Sequence, residues 1–587
     1  MDAFVQPLYE LADFDAIIRQ LKKPGIVQVS GCLDSQKAHF TNGLLREFPF
    51  RLIVAENDLK AKAFYEDFRL YDPEVLYYPA RDLIFYQADI HGNLLTRQRI
   101  QVLRALLERE EVTIVTSIDS CLDCLVPLAV WKEKVIKIRN DSEIDLDRMK
   151  RHLLELGYEW AAQVEVPGKF SIRGGIMDVF SLTEDNPWRI ELWGDEVDSI
   201  RSFDAESQRS IENLEEITIY PATEVVLDKE TIRQGIKAIE KEAQKSQKKF
   251  RDEMKTEEGA RVRQIAAELK DQLEEMEHIA GAESFVRYFY KKTESLLEYL
   301  PENTLVVIDE PNRLTEHAKT TEEEFRESMI HRLEKGYLLP GQMEVIRNHQ
   351  EVVHRFHQMH TLSLSTMEPR GTGWNFTMEM QLTVKSVNPY NNSFEMLVKD
   401  LLRWKKSGYR MLLLSPSRTR AARLAKDLQD QELSAFYSED PEELIQPGQI
   451  KVTWGRVSRG FEYPMVKYVV ISETDIFGKE KKKKRKKSQY SGKQIQSFSE
   501  LSVGDFVVHE NHGLGVYRGI EKMEVDGVVK DYIKIEYAGK SNLYILATQL
   551  DVLQKYAGSD AAKTPKLNKL GGQEWKKTKT KVRGAVK

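Results

Sequence analysis

The sequence has little cysteine and no long apolar run. Its 587 residues include three cysteines, too few for a disulfide framework, which is typical of a reducing compartment. The first residues lack the basic segment and the apolar stretch of a signal peptide. Crossing a bilayer takes about 20 apolar residues, and no stretch of this chain has that length. The sequence therefore predicts a cytoplasmic protein without a membrane partner.

A metal site is not expected from the cysteines. Cys121 and Cys124 form a C-x-x-C pair, but a structural zinc site takes four ligands and the sequence has no second pair. The pair follows a predicted strand at 112–117 and lies in an apolar segment. We therefore interpret it as packing, in keeping with how often cysteine is buried, with a zinc or redox role as the alternative.

The chain as a whole has no excess of positive charge. Lysine and arginine number 87 and aspartate and glutamate 93, for a net charge of −6. Contact with nucleic acid would therefore need local basic patches. The most obvious patch is a run of seven consecutive basic residues within 479–487. The mutual repulsion of these residues favours a linker, and contact with phosphates is the alternative.

Patterns of buried strands recur along the first 310 residues. Short runs rich in valine and isoleucine alternate there with amphipathic helical segments. Such runs are typical of parallel strands covered by helices on both faces. The fold class predicted is therefore multidomain α/β with a doubly wound core. The predicted strands are 26–30, 52–56, 75–79, 112–117 and 305–310.

Other segments interrupt or follow this core. Apolar and polar residues alternate between 170 and 194, as in a half-exposed antiparallel sheet, and residues 228–300 are helical and densely charged. We interpret the charged segment as a solvated helix face or a helical hairpin. A second α/β unit is predicted from about 376 to 475, with strand patterns at 409–415 and 467–472 and with Ser417 as the N-cap of a helix between them.

These patterns divide the chain into predicted domains. Short strands separated by turn residues near the end favour a small β-barrel. The last segment lacks a helix stop signal, so the chain is expected to be the N-terminal part of something longer. The predicted parts are an interrupted core at 1–127 and 216–345, an inserted α+β domain at 128–215, a second α/β domain at 346–476, a basic linker at 477–497, a β-barrel at 498–558 and the start of a further module at 559–587.

A loop that resembles a phosphate-binding loop follows the first predicted strand. The template is G-x-x-x-x-G-K-[ST] between a strand and a helix, and Gly31 and Lys37 fit it. Gln36 replaces the second glycine, and its side chain crowds the turn that directs N–H groups at phosphates. Ala38 replaces the hydroxyl residue that binds magnesium. The loop is therefore predicted to be degenerate.

An acidic pair supplies the other half of the predicted nucleotide site. Asp309 and Glu310 end an apolar strand, as the acidic residues of a nucleotide-binding core do, although exposed acids at a strand end are the plain alternative. Phosphoryl transfer relies on magnesium to neutralise developing charge. With its hydroxyl ligand lost, this chain is predicted to have no catalytic residues and no cofactor of its own.

Three stretches resemble known families. Residues 170–180 (FSIRGGIMDVF) and 189–200 (RIELWGDEVDSI) resemble the excision-repair protein UvrB. Residues 504–517, with GDFVVH and HGLGVY, resemble the CarD-type RNA polymerase-binding module. Residues 567–575 resemble the segment that leads into a helicase motor. Together, in this order, they resemble the bacterial transcription-repair coupling factor family (Mfd).

The resemblance implies an architecture and a function. A UvrB-like, degenerate RecA-type core would carry domains 1a, 2 and 1b, followed by a third domain and a CarD/Tudor-like barrel. The family finds stalled RNA polymerase, displaces it by ATP-driven translocation on double-stranded DNA, and recruits UvrA. The motor, with its ATP and magnesium, is expected beyond Lys587, so this chain is expected not to be an enzyme. A monomer is expected.

The resemblance also implies contact residues. UvrA is expected to bind the inserted domain at Lys169, Phe170 and Arg173, where a long exposed cation suits an acidic partner. The RNA polymerase β subunit is expected to meet the barrel along a strand with an open edge. The residues expected there are Ile520, Glu521, Lys522, Met523 and Glu524.

Three functional hypotheses follow. The first is a platform that binds UvrA and RNA polymerase and so couples transcription to nucleotide excision repair. The second is an active ATPase or helicase that uses the Lys37 site. The third is a transcription regulator that binds polymerase alone.

Overall fold

The computed structural model describes residues 3–81, 93–274, 281–369, 373–478, 503–509, 512–525, 528–538, 541–546, 553–555 and 567. The basic run at 479–487 lies outside the described residues, and so does the predicted module at 559–587 except for Leu567. Within the described ranges, no helix combines the length and the apolar character needed to cross a bilayer.

The valine- and isoleucine-rich runs form a seven-stranded sheet, which we call the parallel sheet. All of its strand pairs are parallel, and most of its strands are buried on both faces. This confirms the predicted strands and a multidomain α/β fold with a parallel sheet. In spatial order the strands are Phe376–Gln381, Gly25–Ser30, His360–Ser365, Leu305–Asp309, Phe50–Ala55, Val112–Ser117 and Leu76–Tyr78.

Two strands of the parallel sheet come later in the chain than expected. His360–Ser365 and Phe376–Gln381 lie on either side of Gly25–Ser30. The sequence placed both in the second α/β domain, so the boundary predicted at 346 is wrong and the parallel sheet ends after 381. The sequence pattern of a strand does not indicate which other strand it pairs with, because consecutive strands are not always neighbours in a sheet.

Helices cover both faces of the parallel sheet. Leu52 and Val54 belong to one apolar cluster, and Ile53 and Ala55 to another, because successive side chains of a strand point to opposite faces. The helices around this sheet are Gln6–Tyr9, Phe14–Leu21, Asp34–Asn42, Asp58–Phe68, Asn93–Glu108, Ile118–Leu122, Leu296–Tyr299, Pro311–Glu334 and His349–Gln358.

The segment with alternating residues forms a six-stranded sheet, which we call the inserted sheet. Its pairs are antiparallel except for the last one. In spatial order its strands are Ser210–Leu214, Glu196–Phe203, Trp188–Trp193, Ile176–Val179, Lys169–Arg173 and Glu159–Trp160. Beside it lie a two-stranded sheet and two helices, namely Ile136–Arg139, Glu216–Ile219, Leu128–Glu133 and Leu146–Glu155.

The densely charged segment is a helical hairpin, one of the two forms predicted for it. Lys229–Asp252 and Thr256–Glu274 pack against each other across a short turn. Their buried residues recur at helical spacing and form one apolar seam. Shorter helical segments follow at Ala282–Phe285, Val286–Phe289 and Pro340–Glu344.

A second α/β unit follows the parallel sheet. Its mixed sheet has six strands, in the order Lys385–Ser386, Phe461–Tyr463, Tyr468–Ser472, Arg410–Ser415, Ile450–Trp454 and Ala435–Tyr437. Its helices are Phe394–Lys406, Arg418–Gln429 and Glu473–Phe477. Ser417 caps the middle helix by accepting a hydrogen bond from the Arg420 N–H at 3.4 Å, which confirms the predicted N-cap.

The last described residues form a five-stranded antiparallel sheet, which we call the C-terminal sheet. Its strands follow the order Asn542–Leu546, Val528–Glu536, Gly513–Val525, Phe506–His509 and Leu553–Lys555. Val507, Ile533 and Ile535 are fully buried and form its core.

The two cysteines of the C-x-x-C pair pack in the interior. Cys121 is fully buried in the cluster of the parallel sheet, and Cys124 is buried in a different cluster beside the helical hairpin. Burial raises the pKa of both thiols. The prediction that the pair serves packing is confirmed.

Candidate functional site

The loop that resembles a phosphate loop is closed by the backbone of the parallel sheet. Gly31 has φ +82, a left-handed conformation that favours glycine, and a Cβ atom at this position would lie 2.1 Å from the Leu382 carbonyl oxygen. The Leu382 N–H donates to the Ser30 carbonyl at 2.8 Å, and the Cys32 N–H donates to the Ser365 carbonyl at 3.0 Å. The chain that follows strand Phe376–Gln381 therefore lies directly over the start of the loop.

Lys37 is engaged by the acidic pair. Its Nζ atom lies 2.6 Å from Asp309 Oδ1 and 2.7 Å from Glu310 Oε1, and its side chain is 1% exposed. Burial lowers the pKa of Lys37, but the charges of Asp309 and Glu310 outweigh that effect and raise it overall. Lys37 is therefore charged, and both carboxylates compensate its desolvation.

The two carboxyl groups of this ion cluster differ in their surroundings. Burial raises the pKa of Asp309 above its usual range, although Lys37 opposes that shift. Burial also acts on Glu310, but Lys37 and hydrogen bonds from Thr366 outweigh it and lower the pKa. The Thr366 N–H and hydroxyl donate to Glu310 Oε1 at 2.8 and 2.7 Å. These contacts hold Glu310 in place at φ +56.

The two residues that depart from the template are both buried. Gln36 accepts a hydrogen bond from the Leu33 N–H at 3.1 Å and donates one to the Tyr463 hydroxyl at 2.8 Å. Ala38 is fully buried and brings no oxygen. Where a phosphate loop holds nucleotide, this loop therefore holds side chains of its own chain.

The second α/β unit docks on the same loop. The Ser458 N–H and hydroxyl donate to Asp67 Oδ1 at 2.7 and 2.8 Å, and Asp67 Oδ2 accepts from the Ser35 hydroxyl at 2.7 Å. The Arg459 N–H donates to the Ser35 hydroxyl oxygen at 3.1 Å. Burial raises the pKa of Asp67, and these hydrogen bonds oppose that shift. One polar network thus joins the two units.

His39 lies at the centre of this joint. One ring nitrogen is 3.1 Å from the Tyr463 hydroxyl and the other is 2.6 Å from the Phe4 carbonyl oxygen. Its ring stacks on Tyr468 at a centroid distance of 5.8 Å. Burial lowers the pKa of His39 to about 4. The imidazole is therefore neutral at physiological pH.

The chemistry of this site is that of a structural joint. A nucleotide would need Lys37 for its phosphates and a hydroxyl for magnesium. Lys37 is bound to two carboxylates, and the hydroxyl position is occupied by Ala38. The residues present therefore do not fit ATP with magnesium. The sequence predicted the missing ligands, but it did not predict the joint with the second α/β unit.

Two of the three expected contacts on the inserted sheet lie on its outer face. Arg173 is 52% exposed, and its guanidinium lies 3.0 Å from the buried carboxylate of Asp178. Lys169 lies on the same face, because it is four residues away on one strand, and it pairs with Glu159. Arg189 also holds Asp178, with distances of 2.8 and 2.9 Å.

The third expected contact, Phe170, points the other way. Its side chain is fully buried in the apolar core, so placing it in a contact surface is wrong. The period of two along a strand explains this, since residues three apart, such as Phe170 and Arg173, face opposite sides of the sheet. The burial of Phe170 could therefore have been predicted from the alternation of residues along its strand.

Trp193 was not singled out from the sequence, yet it is the more exposed aromatic residue of this sheet. It is 86% exposed, whereas Trp160 is 55% exposed. The register pairs Ile176 with Glu191, which places Trp193 near the turn that follows Arg173 and on the same face. An exposed tryptophan beside an exposed arginine is a common composition of protein contact sites. In the sequence, Trp193 looks like a core residue, and only the exposure of its side chain in the structure distinguishes it.

The expected polymerase contacts lie in strand Gly513–Val525. Residues 519–525 pair with 528–534 on one side, whereas Phe506–His509 reaches only 513–516 on the other. Among the described residues, the second edge of 518–525 therefore has no strand partner. Ile520 is 44% exposed there.

The structure describes the side chain of only one of the remaining expected contacts. Glu521 is exposed and accepts hydrogen bonds from Lys534 at 2.7 Å and from the Tyr544 hydroxyl at 3.3 Å. Lys522, Met523 and Glu524 continue the strand, but their side chains lie outside the described residues. Their roles stay predictions.

Two domain families match this chain. The UvrB interaction domain matches residues 136–225, which include the inserted sheet. The CarD-like/TRCF RID domain matches residues 501–557, which include the C-terminal sheet. Both matches lie in the stretches whose motifs resemble these families.

Curated relatives match along the whole chain. A transcription-repair-coupling factor of Bacillus subtilis is 34% identical over 594 residues, covering 100% of this chain and 50% of the relative. One from Staphylococcus haemolyticus is 31% identical over 587 residues, covering 95% and 47%. One from Staphylococcus epidermidis is 30% identical over 580 residues, covering 95% and 47%. The chain thus spans about half the length of the curated relatives it matches.

Acid is expected to weaken the joint at His39. Because burial lowers the pKa of this residue to about 4, the unfolded chain takes up a proton at a higher pH than the folded chain. The stability from the neutral ring is complete above the ordinary pKa of about 6.5 and is lost as the pH falls toward 4. The loss should reach about 3 kcal/mol over this window. Urea unfolding between about pH 7 and about pH 4.5 measures it.

The variant His39→Gln should lose this part of the pH dependence. His331, an exposed residue of helix Pro311–Glu334, provides the matched control His331→Gln, which should keep the full pH profile. An unchanged profile in His39→Gln would contradict the assignment.

Proposed function

The chain belongs to the transcription-repair-coupling factor family, and we propose that it is a docking platform that binds stalled RNA polymerase and recruits UvrA without hydrolysing ATP. The proposal that the chain does not hydrolyse ATP rests on the ion cluster of Lys37, Asp309 and Glu310. The proposal that it binds RNA polymerase and UvrA rests on the two interaction domains that match the chain.

The ion cluster argues against a working nucleotide site. Binding ATP at Lys37 would separate Lys37 from two carboxylates and leave them buried without a partner, which costs several kcal/mol. The phosphates would also displace the contacts of Gln36 and Ser35 with the second α/β unit. The core is therefore a RecA-type relic in this proposal, and its role is to hold the docking surfaces.

The whole protein is proposed to be an ATP-dependent DNA translocase. Because the chain spans about half of its relatives, the motor is assigned to the part of those relatives that the chain does not match. ATP, magnesium and double-stranded DNA would bind there. We also propose that the protein is a monomer. We place it in the cytoplasm because polymerase, UvrA and DNA are all in the cytoplasm of bacteria.

The outer face of the inserted sheet is the proposed UvrA site. Arg173 offers an exposed guanidinium for a carboxylate of the partner. Trp193 offers a large apolar surface near it, and tryptophan and arginine are the residue types that dominate binding energies at protein interfaces. Lys169 would add charge at the rim, where its contribution is small.

The free edge of strand 518–525 is the proposed site for the polymerase β subunit. A strand of the partner would pair with this edge and extend the sheet, so main-chain hydrogen bonds would provide affinity and side chains specificity. Ile520 is placed to bury apolar area in such a contact. We further propose that the C-terminal sheet closes as a small CarD/Tudor-like barrel.

The chain is expected to show no ATP turnover. Lys37→Met should leave this background unchanged, because Lys37 binds carboxylates and not nucleotide. Phosphate release and binding of a fluorescent ATP analogue measure both properties. Turnover that Lys37→Met abolishes would favour the alternative of an active ATPase.

Arg173→Glu is expected to weaken UvrA binding at least about tenfold, since it replaces a charge that complements an acidic partner. The fold should persist because Arg189 still holds Asp178. Arg139→Glu, at an exposed cation of the two-stranded sheet, is the matched control. Binding to immobilised UvrA measures the effect.

Trp193→Ala should weaken UvrA binding as well, whereas Trp160→Ala should not, because Trp160 lies beside Phe170 and not on the Arg173 face. Unchanged UvrA binding in Arg173→Glu and Trp193→Ala, with polymerase binding retained, would favour a regulator that binds polymerase alone.

Ile520→Arg and Met523→Arg are each expected to weaken polymerase binding at least about thirtyfold. An unpaired cation in the contact would have to be desolvated, which costs about 2 kcal/mol or more. Met465→Arg, at a residue 78% exposed in the second α/β unit, is the matched control. Retained binding by both test variants would place the contact elsewhere.

A further inference from the structure

The tip of the helical hairpin carries a furrow that the sites above do not use. It lies between Lys229–Asp252 and Thr256–Glu274 and has a volume of about 470 Å³. All charged residues that line it are cations, and its other lining residues are glutamine, threonine, glycine and alanine. The cations are Lys248, Arg251, Lys255 and Arg263.

The helices themselves create the furrow. Gly259 is buried where they approach, and a Cβ atom there would lie 3.6 Å from the Cβ atom of Phe250. Since Phe250 fills the seam below and small residues form the wall, the space above stays open. Lys248 and Arg251 lie three residues apart on helix Lys229–Asp252 and therefore share one face of it, and Lys255 follows in the turn between the two helices.

Three of the four furrow cations have no ion-pair partner among the described residues. Lys248, Arg251 and Arg263 are exposed and form no ion pair with any residue that the structure describes. Among the described residues, Lys255 forms an ion pair only with Glu253, at 2.9 Å on the surface. The chain has a net charge of −6, so this is a local reversal of sign.

We propose that this furrow binds the phosphate backbone of duplex DNA without regard to sequence. Phosphates follow one another along a strand at about 3.4 Å of helix axis, so Lys248 and Arg251, about one helical turn apart, are spaced to meet neighbouring phosphates. Glutamine and threonine side chains are common donors to phosphate oxygens. This contact is separate from UvrA, polymerase and the motor, and it does not rest on the function proposed above.

The composition of the furrow favours duplex DNA over two other polyanions. Single strands are held by aromatic side chains on which bases stack, and the lining contains none. An acidic protein partner would anchor itself by apolar side chains in pockets. The lining offers only glycine and alanine for that purpose.

A DNA contact here would hold the platform on the template while its other surfaces engage their partners. The affinity would depend strongly on salt, because bound phosphates release counterions.

The test compares two double variants with equal changes of charge. Arg251→Glu with Arg263→Glu removes one furrow cation from each helix. Lys245→Glu with Lys249→Glu changes two exposed lysines of the same hairpin that do not line the furrow. Fluorescence anisotropy with a labelled duplex of mixed sequence measures the affinity of each chain. Both variants keep the basic run at 479–487, so its contribution is common to both.

The furrow variant is expected to lose at least about tenfold in affinity, and its plot of log K against log salt should be shallower by about two. The control variant should lose less than about threefold. Equal losses in the two variants, or none in the furrow variant, would overturn the proposal. Stronger displacement by polyglutamate than by unlabelled duplex would assign the furrow to an acidic protein and also overturn it.

Acetylation of lysines in the native chain gives a local readout. Lys248 lines the furrow and its exposed neighbour Lys249 does not. Duplex DNA should slow the modification of Lys248 several-fold and leave Lys249 unchanged, as followed by mass spectrometry. Equal rates at Lys248 with and without DNA would contradict binding in the furrow.

Discussion

The buried ammonium group of Lys37 is the constraint on which the arrangement of the two α/β units depends. A cation with 1% exposure is tolerated only where carboxylates compensate its desolvation, and Asp309 and Glu310 do so from the end of a central strand. This ion cluster fixes helix Asp34–Asn42 on the parallel sheet. Because the helix is fixed, Gln36 and His39 face Tyr463 of the second unit.

In the joint, a segment that resembles a phosphate loop makes structural contacts. A working loop keeps a positive charge and backbone N–H groups free for phosphates. In this chain the charge is balanced by carboxylates, the loop contacts Leu382 and Arg459 of its own chain, and Asp67 links the loop residue Ser35 to Ser458. The two units therefore stay joined without a nucleotide. A joint of this kind suits a scaffold, since the distances between its docking surfaces do not depend on a hydrolysis cycle.

The surfaces available to partners are separated along the chain and differ in chemistry. The outer face of the inserted sheet combines Arg173 with an exposed Trp193. The C-terminal sheet offers the backbone edge of 518–525, and the hairpin furrow offers cations alone. The net charge of −6 conceals these differences, because binding depends on the local field and not on the total charge.

The sequence by itself determined the strand and helix patterns, the parallel core and the lack of a hydroxyl at Ala38, because these follow from local spacing and residue type. The alternation of side chains along 169–173 also predicts that Phe170 is buried. Only the tertiary structure decided that 360–365 and 376–381 join the first sheet, that Lys37 meets two carboxylates, and that Tyr463 closes the joint. These contacts link residues hundreds of positions apart, and their energies depend on burial, which no local pattern specifies.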